Sequence, residues 1–123
     1  MNDLSEHIEQ AREKLQEKII WANELIFVHP LWWGFTPAIM KNFIDHCFSA
    51  GVMYKYIYSR PVGLLTGRTA KVFITCGGPA YLYYLILLPF RTIWVYFILR
   101  FCGVKVTSFK LFGREEKQQR SYV

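Results

Sequence analysis

Glu24-Leu25-Ile26-Phe27-Val28-His29-Pro30-Leu31-Trp32-Trp33-Gly34-Phe35-Thr36-Pro37 is the stretch on which the reading of this 123-residue chain turns. Leu25 to Val28 is an unbroken apolar run of strand length, the pattern of a parallel strand covered on both faces. His29, Pro30 and Gly34 then stop the strand. Trp32, Trp33 and Phe35 place three large flat side chains beyond its carboxyl end, where open α/β sheets usually bind ligands. Two adjacent tryptophans in a loop cannot both enter the core. Either one packs while the other half-covers a neighbouring loop, or together they form a stacking surface.

Outward from this stretch, Asp3 to Ala22 carries apolar residues at Leu4, Ile8, Ala11, Leu15, Ile19 and Ala22, one stripe of an amphipathic helix with a solvated charged face. Asp3 and Glu6 suit a capping pair. On the other side, Thr36 as cap and Pro37 in the first turn predict a second helix to about Ser49, with Gly51 near its stop. Ile39, Met40, Phe43, Ile44, Cys47 and Phe48 form its apolar face, and His46 reads as a surface histidine. Val52 to Gly67 reads as an irregular connection. Ala70 to Thr75 is a second strand, ending in Thr75-Cys76-Gly77-Gly78-Pro79, where glycines let a backbone approach a flat ligand. A third helix is expected from near Pro89 to Phe101, closed by Gly103, then a third strand over Val104 to Phe112 and a polar end from Arg114. The order is helix, strand, helix, strand, helix, strand: one α/β domain over residues 1–123.

Composition narrows the function classes. With 53% hydrophobic and 18% aromatic residues the chain is not disordered. Cys47, Cys76 and Cys102 are far apart, with neither CxxC nor metal-ligand spacing, so no metal site or disulfide framework is expected. The formal charge of +6 is scattered and follows no nucleic-acid-binding motif. Acidic residues near the start do not suit a signal peptide, so none is expected, and a cytoplasmic location is expected. Val72 to Phe90 reaches bilayer-spanning length without a charge, but Gly77-Gly78-Pro79 interrupts it. A membrane span is therefore not expected, while peripheral contact fits better.

Three motifs also carry a family resemblance. Pro30-Leu31-Trp32-Trp33-Gly34-Phe35-Thr36-Pro37-Ala38-Ile39-Met40-Lys41, with Phe43-Ile44-Asp45 and Phe48, resembles the loop and helix of the flavodoxin-like NAD(P)H:quinone oxidoreductases, the group that includes the modulator of drug activity B proteins. Thr75-Cys76-Gly77-Gly78-Pro79 resembles their second flavin loop, and Leu99-Arg100-Phe101-Cys102-Gly103 their last helix-to-strand joint.

The resemblance implies a flavodoxin-like parallel sheet with helices on both faces, a bound FMN or FAD, NAD(P)H as electron donor and a quinone-type acceptor. It implies cofactor contacts from Pro30, Leu31, Trp32, Trp33, Gly34, Phe35, Thr75, Cys76, Gly77, Gly78 and Tyr81, and substrate contacts from Trp32, Tyr54 and Tyr81, with Tyr54 entering through Gly51-Val52-Met53-Tyr54. It also implies a homo-oligomer. The family's opening strand, phosphate loop, first helix and second strand have no counterpart, which leaves about three strands and an apolar edge at Leu25 to Val28. No histidine follows His46, so no catalytic acid or base is assigned. Two functions stand side by side: a flavin-dependent oxidoreductase, or a truncated, non-catalytic relative acting through self-association.

Overall fold

In a computed structural model that describes residues 2–113, the chain forms α1 (Asn2–Trp21), β1 (Glu24–Pro30), α2 (Ala38–Cys47), β2 (Tyr54–Ile57), β3 (Arg60–Gly63), β4 (Thr69–Thr75), α3 (Ala80–Thr92) and β5 (Lys105–Phe112). A π-helical segment, Ile93–Leu99, and a short 3-10 turn, Arg100–Cys102, join α3 to β5. The main sheet is parallel, in the order β1-β4-β5, and β1 is an edge. The polar end from Arg114 lies outside the described residues.

The expected strands and crossover helices are present, and the sheet is the three-stranded parallel one that the pattern implied. Its coverage differs from expectation. β1 alternates: Leu25, Phe27 and His29 are buried, while Ile26 and Val28 remain 57% and 61% exposed. The buried residues of α1 (Ile19), α2 (Ile44, Cys47) and α3 (Phe90), with Trp94, join one cluster with Leu25, Phe27, Ala70, Val72 and Ile74. Among the described residues the helices thus share one face rather than two. The steps β1–α2–β4 and β4–α3–β5 move the same way across the sheet, and right-handed crossovers that step the same way lay their helices on the same side.

Local chemistry accounts for the other departures. The connection after α2 is not irregular: β2 and β3 pair as a hairpin, with Ile57 opposite Arg60 and both turn residues, Tyr58 and Ser59, at positive φ of 49° and 64°. That is the backbone of a two-residue I′ turn, usually built from Asn and Gly, so Tyr-Ser disguised it. Gly63 of the hairpin lies so close to the Arg100–Cys102 turn that an added Cβ would stand 2.2 Å from the Cys102 carbonyl carbon.

The third helix begins at Ala80, not near Pro89, which sits inside it. Pro89 removes the hydrogen bond to the Leu85 carbonyl, yet Pro89 and Leu85 are both exposed residues, on the side of the helix where such a loss costs least. Thr36 does not cap α2: Pro37 occupies the N-cap position itself, with no side-chain cap. α1 already includes Asn2, so Asp3 lies in its first turn rather than at its cap. The stripe of α1 is covered only towards its end, at Ile19, while Leu4, Ile8 and Leu15 are exposed. Instead Gln16 is buried, donating to the Cys47 carbonyl and the Ser49 hydroxyl at 3.0 Å each.

Candidate functional site

The carboxyl ends of β1 and β4 stand side by side, with Pro30 level with Thr75. Beyond that pair the loops are stitched together, because the Leu31 N–H donates to the Thr75 carbonyl at 2.7 Å. The Cys76 N–H in turn donates to the Phe112 carbonyl at 2.9 Å, tying the second loop to the end of β5. Parallel pairing therefore brings Pro30 to Phe35 and Thr75 to Gly78 to one rim.

Within the first loop, Trp32 and Phe35 exchange backbone hydrogen bonds at 3.0 Å in both directions, closing a tight turn over Trp33 and Gly34. Both central residues have positive φ, 54° and 73°. For Gly34 this is free of strain; for Trp33 it is the left-handed conformation that a Cβ disfavours by about 1 to 2 kcal/mol. The turn throws the indole of Trp33 wholly into solvent, and Trp32 is exposed as well. Neither packs into the core. Leu31 points inward against the core cluster, and Phe35 leans edge-on against Phe90 at 5.6 Å.

In the second loop, the half-buried Cys76 donates its thiol to the Gly78 carbonyl at 3.5 Å, and burial pushes its pKa above the usual thiol value. Gly77 faces open space, whereas a Cβ on Gly78 would meet the Tyr83 ring at 3.0 Å. Pro79 then opens α3, and Tyr81 on its first turn is exposed. α2 opens at the same rim after Pro37, so two helix N-termini present partial positive charge there.

Tyr54 is elsewhere. It packs edge-on against Phe101 at 4.8 Å, beside a cavity of about 240 Å³ lined also by Ile44, Phe48 and Phe97. It follows α2, which runs back from the rim, so Tyr54 lies towards the end of the sheet where the strands begin. Within one copy of the chain it is not brought to Trp32 and Tyr81.

His29 is a rim residue that sequence reasoning took only for a strand stopper. It is 4% exposed, and its Nδ1–H donates to the Pro30 carbonyl at 2.8 Å. The Pro30–Leu31 peptide is thereby held at both ends, its carbonyl by His29 and its N–H by Thr75. The ring stacks on Trp94 at 5.5 Å and meets Phe90 edge-on at 6.0 Å. Burial lowers its pKa, with the Pro30 hydrogen bond opposing. With Nδ1 carrying the proton, Nε2 is a buried acceptor without a partner among the described residues, and so is the Trp94 Nε1–H donor. The signal was available: residue 29 continues the alternation of Leu25 and Phe27 onto the covered face.

This rim suits one part of a flavin. Exposed aromatic faces, an unhindered glycine backbone and two helix N-termini match a flat, electron-accepting ring. The phosphate is different, since no basic side chain occurs in residues 30–35 or 75–79. Cys47 and Cys102 are buried, the latter with its pKa pushed up to about 11, and neither reaches the rim. Among the described residues no group of three or more His, Cys, Asp or Glu could hold a metal. No described helix is long and apolar enough to cross a membrane.

Comparison with known proteins agrees with this architecture. A family model described as flavodoxin-like fold matches residues 2–122. An uncharacterized NAD(P)H oxidoreductase of Haemophilus influenzae is 32% identical over 97 residues, 77% of this chain and 48% of the relative. An FMN-dependent NADH:quinone oxidoreductase of Pseudomonas fluorescens is 36% identical over 69 residues, 56% of this chain and 35% of the relative. A crystal structure of a putative quinone reductase from Klebsiella pneumoniae superposes with a TM-score of 0.73 at 26% identity, covering 91% of this chain and 50% of the other. The chain thus spans about half, or less, of the length of these proteins. It belongs to the flavodoxin-like fold family.

Proposed function

We propose that the rim of Pro30 to Phe35, Thr75 to Gly78 and Tyr81 is the ring-binding half of a flavin site, serving two-electron transfer from NADH or NADPH to a quinone-type acceptor. The observation that carries this reading is the Leu31 N–H to Thr75 carbonyl bond at 2.7 Å, which fixes two exposed, ligand-ready loops to each other at the end of the sheet. Relatives named as FMN-dependent NADH:quinone oxidoreductases support FMN over FAD. When bound, the flavin supplies the hydride chemistry.

The chain's own part is binding and electrostatics. Trp32, Trp33 and Phe35 offer faces for ring or acceptor, Gly77 permits close backbone approach, and the N-termini of α2 and α3 favour negative charge at the ring's edge. His29 holds the loop peptide in place as a positioning residue. Because the family's phosphate loop has no counterpart in these residues, the phosphate adds little affinity, and riboflavin and FMN bind alike to this chain.

The test is titration of the purified chain with FMN, FAD and riboflavin, followed by flavin fluorescence, then NADH and NADPH oxidation with a soluble quinone. Saturable quenching that weakens in Trp33→Ala supports the site. Quenching unaffected by Trp33→Ala and by Trp32→Ala sinks it.

A second reading, self-association without catalysis, is favoured by exposure. Tyr81, Leu82, Leu85 and Leu88 stand out along α3, and Ile26, Val28 and Phe112 add exposed apolar groups to the uncovered sheet face, beside Glu24, Lys71 and Lys110. Exposed apolar side chains clustered in this way favour association, so a homo-oligomer is expected. A concentration-independent monomer in light scattering contradicts it.

A further inference from the structure

The outward side of α3 and of the π-helical segment that continues it carries one apolar ridge. Tyr81, Leu85 and Leu88 recur at helical spacing and are exposed, Leu82 lies beside them, and Tyr96 and Phe97 prolong the ridge past Pro89. From residue 81 to residue 97 it measures about 24 Å at the α-helical rise. The opposite side of the same elements buries Phe90, Trp94, Val95 and Leu99, so the ridge is backed by the core and cannot turn inward.

Charge sets this ridge apart. Between Asp45 and Glu115 the sequence holds no acidic residue, while Arg91 and Arg100 are exposed along the ridge. The Arg100 guanidinium lies over the Tyr96 ring at 5.4 Å, and Arg91 leans on Phe109 at 6.0 Å. Asp45 comes near the far end, where it lines a cavity with Phe97, but Lys41 holds both of its carboxylate oxygens, at 2.6 and 2.8 Å. An apolar and aromatic ridge edged by arginines, with the neighbouring carboxylate already paired, suits an anionic membrane surface.

We propose that α3 and the π-helical segment dock this protein on anionic lipid, with Leu82, Leu85, Leu88 and Phe97 entering the acyl boundary and Arg91 and Arg100 among the headgroups. The segment lies on the membrane rather than across it, because Pro89 and Arg91 interrupt the apolar run and its inner side belongs to the core. A second copy of this chain is a poorer occupant. A two-fold interface sets a patch against itself, which would gather four arginines with no free carboxylate from the ridge, whereas anionic headgroups supply the opposite charge. Copies can associate instead through the uncovered sheet face, where Glu24 and Lys71 offer both signs. The ridge begins at Tyr81 on the rim, so docking sets the rim beside lipid, from which an apolar quinone-type acceptor enters. That consequence rests on the flavin reading; the docking does not.

The test sediments the purified chain with vesicles of phosphatidylcholine alone or with about 30% phosphatidylserine. Binding to the anionic vesicles is expected, about tenfold weaker on the neutral ones and falling as salt is raised. Leu85→Gln with Leu88→Gln alters exposed side chains only, so the chain stays folded while vesicle binding drops about tenfold. Arg91→Gln with Arg100→Gln lowers binding to the anionic vesicles about tenfold and leaves the neutral ones unchanged. Ile26→Gln with Val28→Gln, the same change on the sheet face, leaves binding within about twofold of the parent. No binding to anionic vesicles, equal binding to both kinds, or an equal loss in the sheet-face variant overturns the proposal. So does an oligomer that Leu85→Gln with Leu88→Gln dissociates while vesicle binding stays unchanged.

Discussion

Trp33→Gly separates binding from stability at the rim, because the two effects of this side chain have opposite signs. Trp33 holds φ of 54° and buries nothing, so its removal costs no packing. A residue with a Cβ in this conformation is strained by about 1 to 2 kcal/mol. Glycine relieves that strain but brings an unfolded-state entropy cost of about 0.5 to 1 kcal/mol. The balance leaves folding stability unchanged or raised by up to about 1.5 kcal/mol, a rise of at most several degrees in melting temperature. Binding should move the other way. Loss of one aromatic face costs about 0.5 to 1.5 kcal/mol of stacking, which weakens flavin affinity by about 2- to 13-fold. Trp33→Ala is the control, since it removes the face and keeps the strained φ. Fluorescence titration with FMN and thermal unfolding on the same samples give both quantities. Should Trp33→Gly lower the melting temperature and leave FMN affinity intact, the indole packs on the protein rather than on a ligand, and the assigned rim is wrong.

Other perturbations test the frame around the rim. Trp94 is 1% exposed between Phe27 at 5.0 Å and His29 at 5.5 Å, so Trp94→Ala should cost about 3 to 5 kcal/mol, read from the denaturant midpoint. His29 has a depressed pKa in the folded chain, so the unfolded chain takes up the proton first as pH falls. Stability is then fully present above about pH 6.5 and declines as pH drops through the folded pKa, a slope that His29→Gln should flatten in urea melts between pH 8 and 5. Gly63→Ala places a Cβ against the backbone of Cys102 and Gly103 and should lower stability by about 1 to 3 kcal/mol in thermal melts. Replacing Tyr58-Ser59 by Asn-Gly should raise it by about 0.5 to 1 kcal/mol, because both positions have positive φ.

Much of the fold could be read from local pattern because its strands are short apolar runs bounded by glycine and proline. What escaped was set by tertiary context. Ile26 and Val28 look like buried strand residues, and only the one-way stepping of the crossovers leaves them bare. Tyr58-Ser59 carries no turn signature, since the hairpin's packing on Cys102 enforces a conformation that its sequence does not favour. β5 changes phase between Val106 and Phe109, which share the covered side, because a bulge at Ala70/Lys71 skips Thr107 and lets its hydroxyl reach the Ala70 carbonyl at 3.3 Å. At the rim, the meeting of the two loops was legible from the two parallel strands that they follow. Where Tyr54 lies within one copy was not legible, because a motif says nothing of which end of the sheet a returning helix reaches.

The rim inherits its geometry from the core through an unbroken series of rings. Phe35 rests on Phe90, Phe90 on His29, His29 on Trp94 and Trp94 on Phe27, with centroid separations of 5.6, 6.0, 5.5 and 5.0 Å. Each contact joins a different element: the loop, α3, the end of β1, the π-helical segment, and β1 again. Close-packed interiors transmit displacement instead of absorbing it, so the exposed turn over Trp33 is anchored by residues that never meet solvent. The wider π-helical spacing belongs to this arrangement. Trp94 and Val95 are consecutive and both buried, and the segment lies where α3 passes over β1 and β5. An exposed aromatic loop on a flexible tether would order itself at an entropic cost on meeting a flat ligand. Here both flanks of that loop are already fixed, Leu31 to Thr75 by a backbone bond and Phe35 to Phe90 by ring contact, so little of that cost remains.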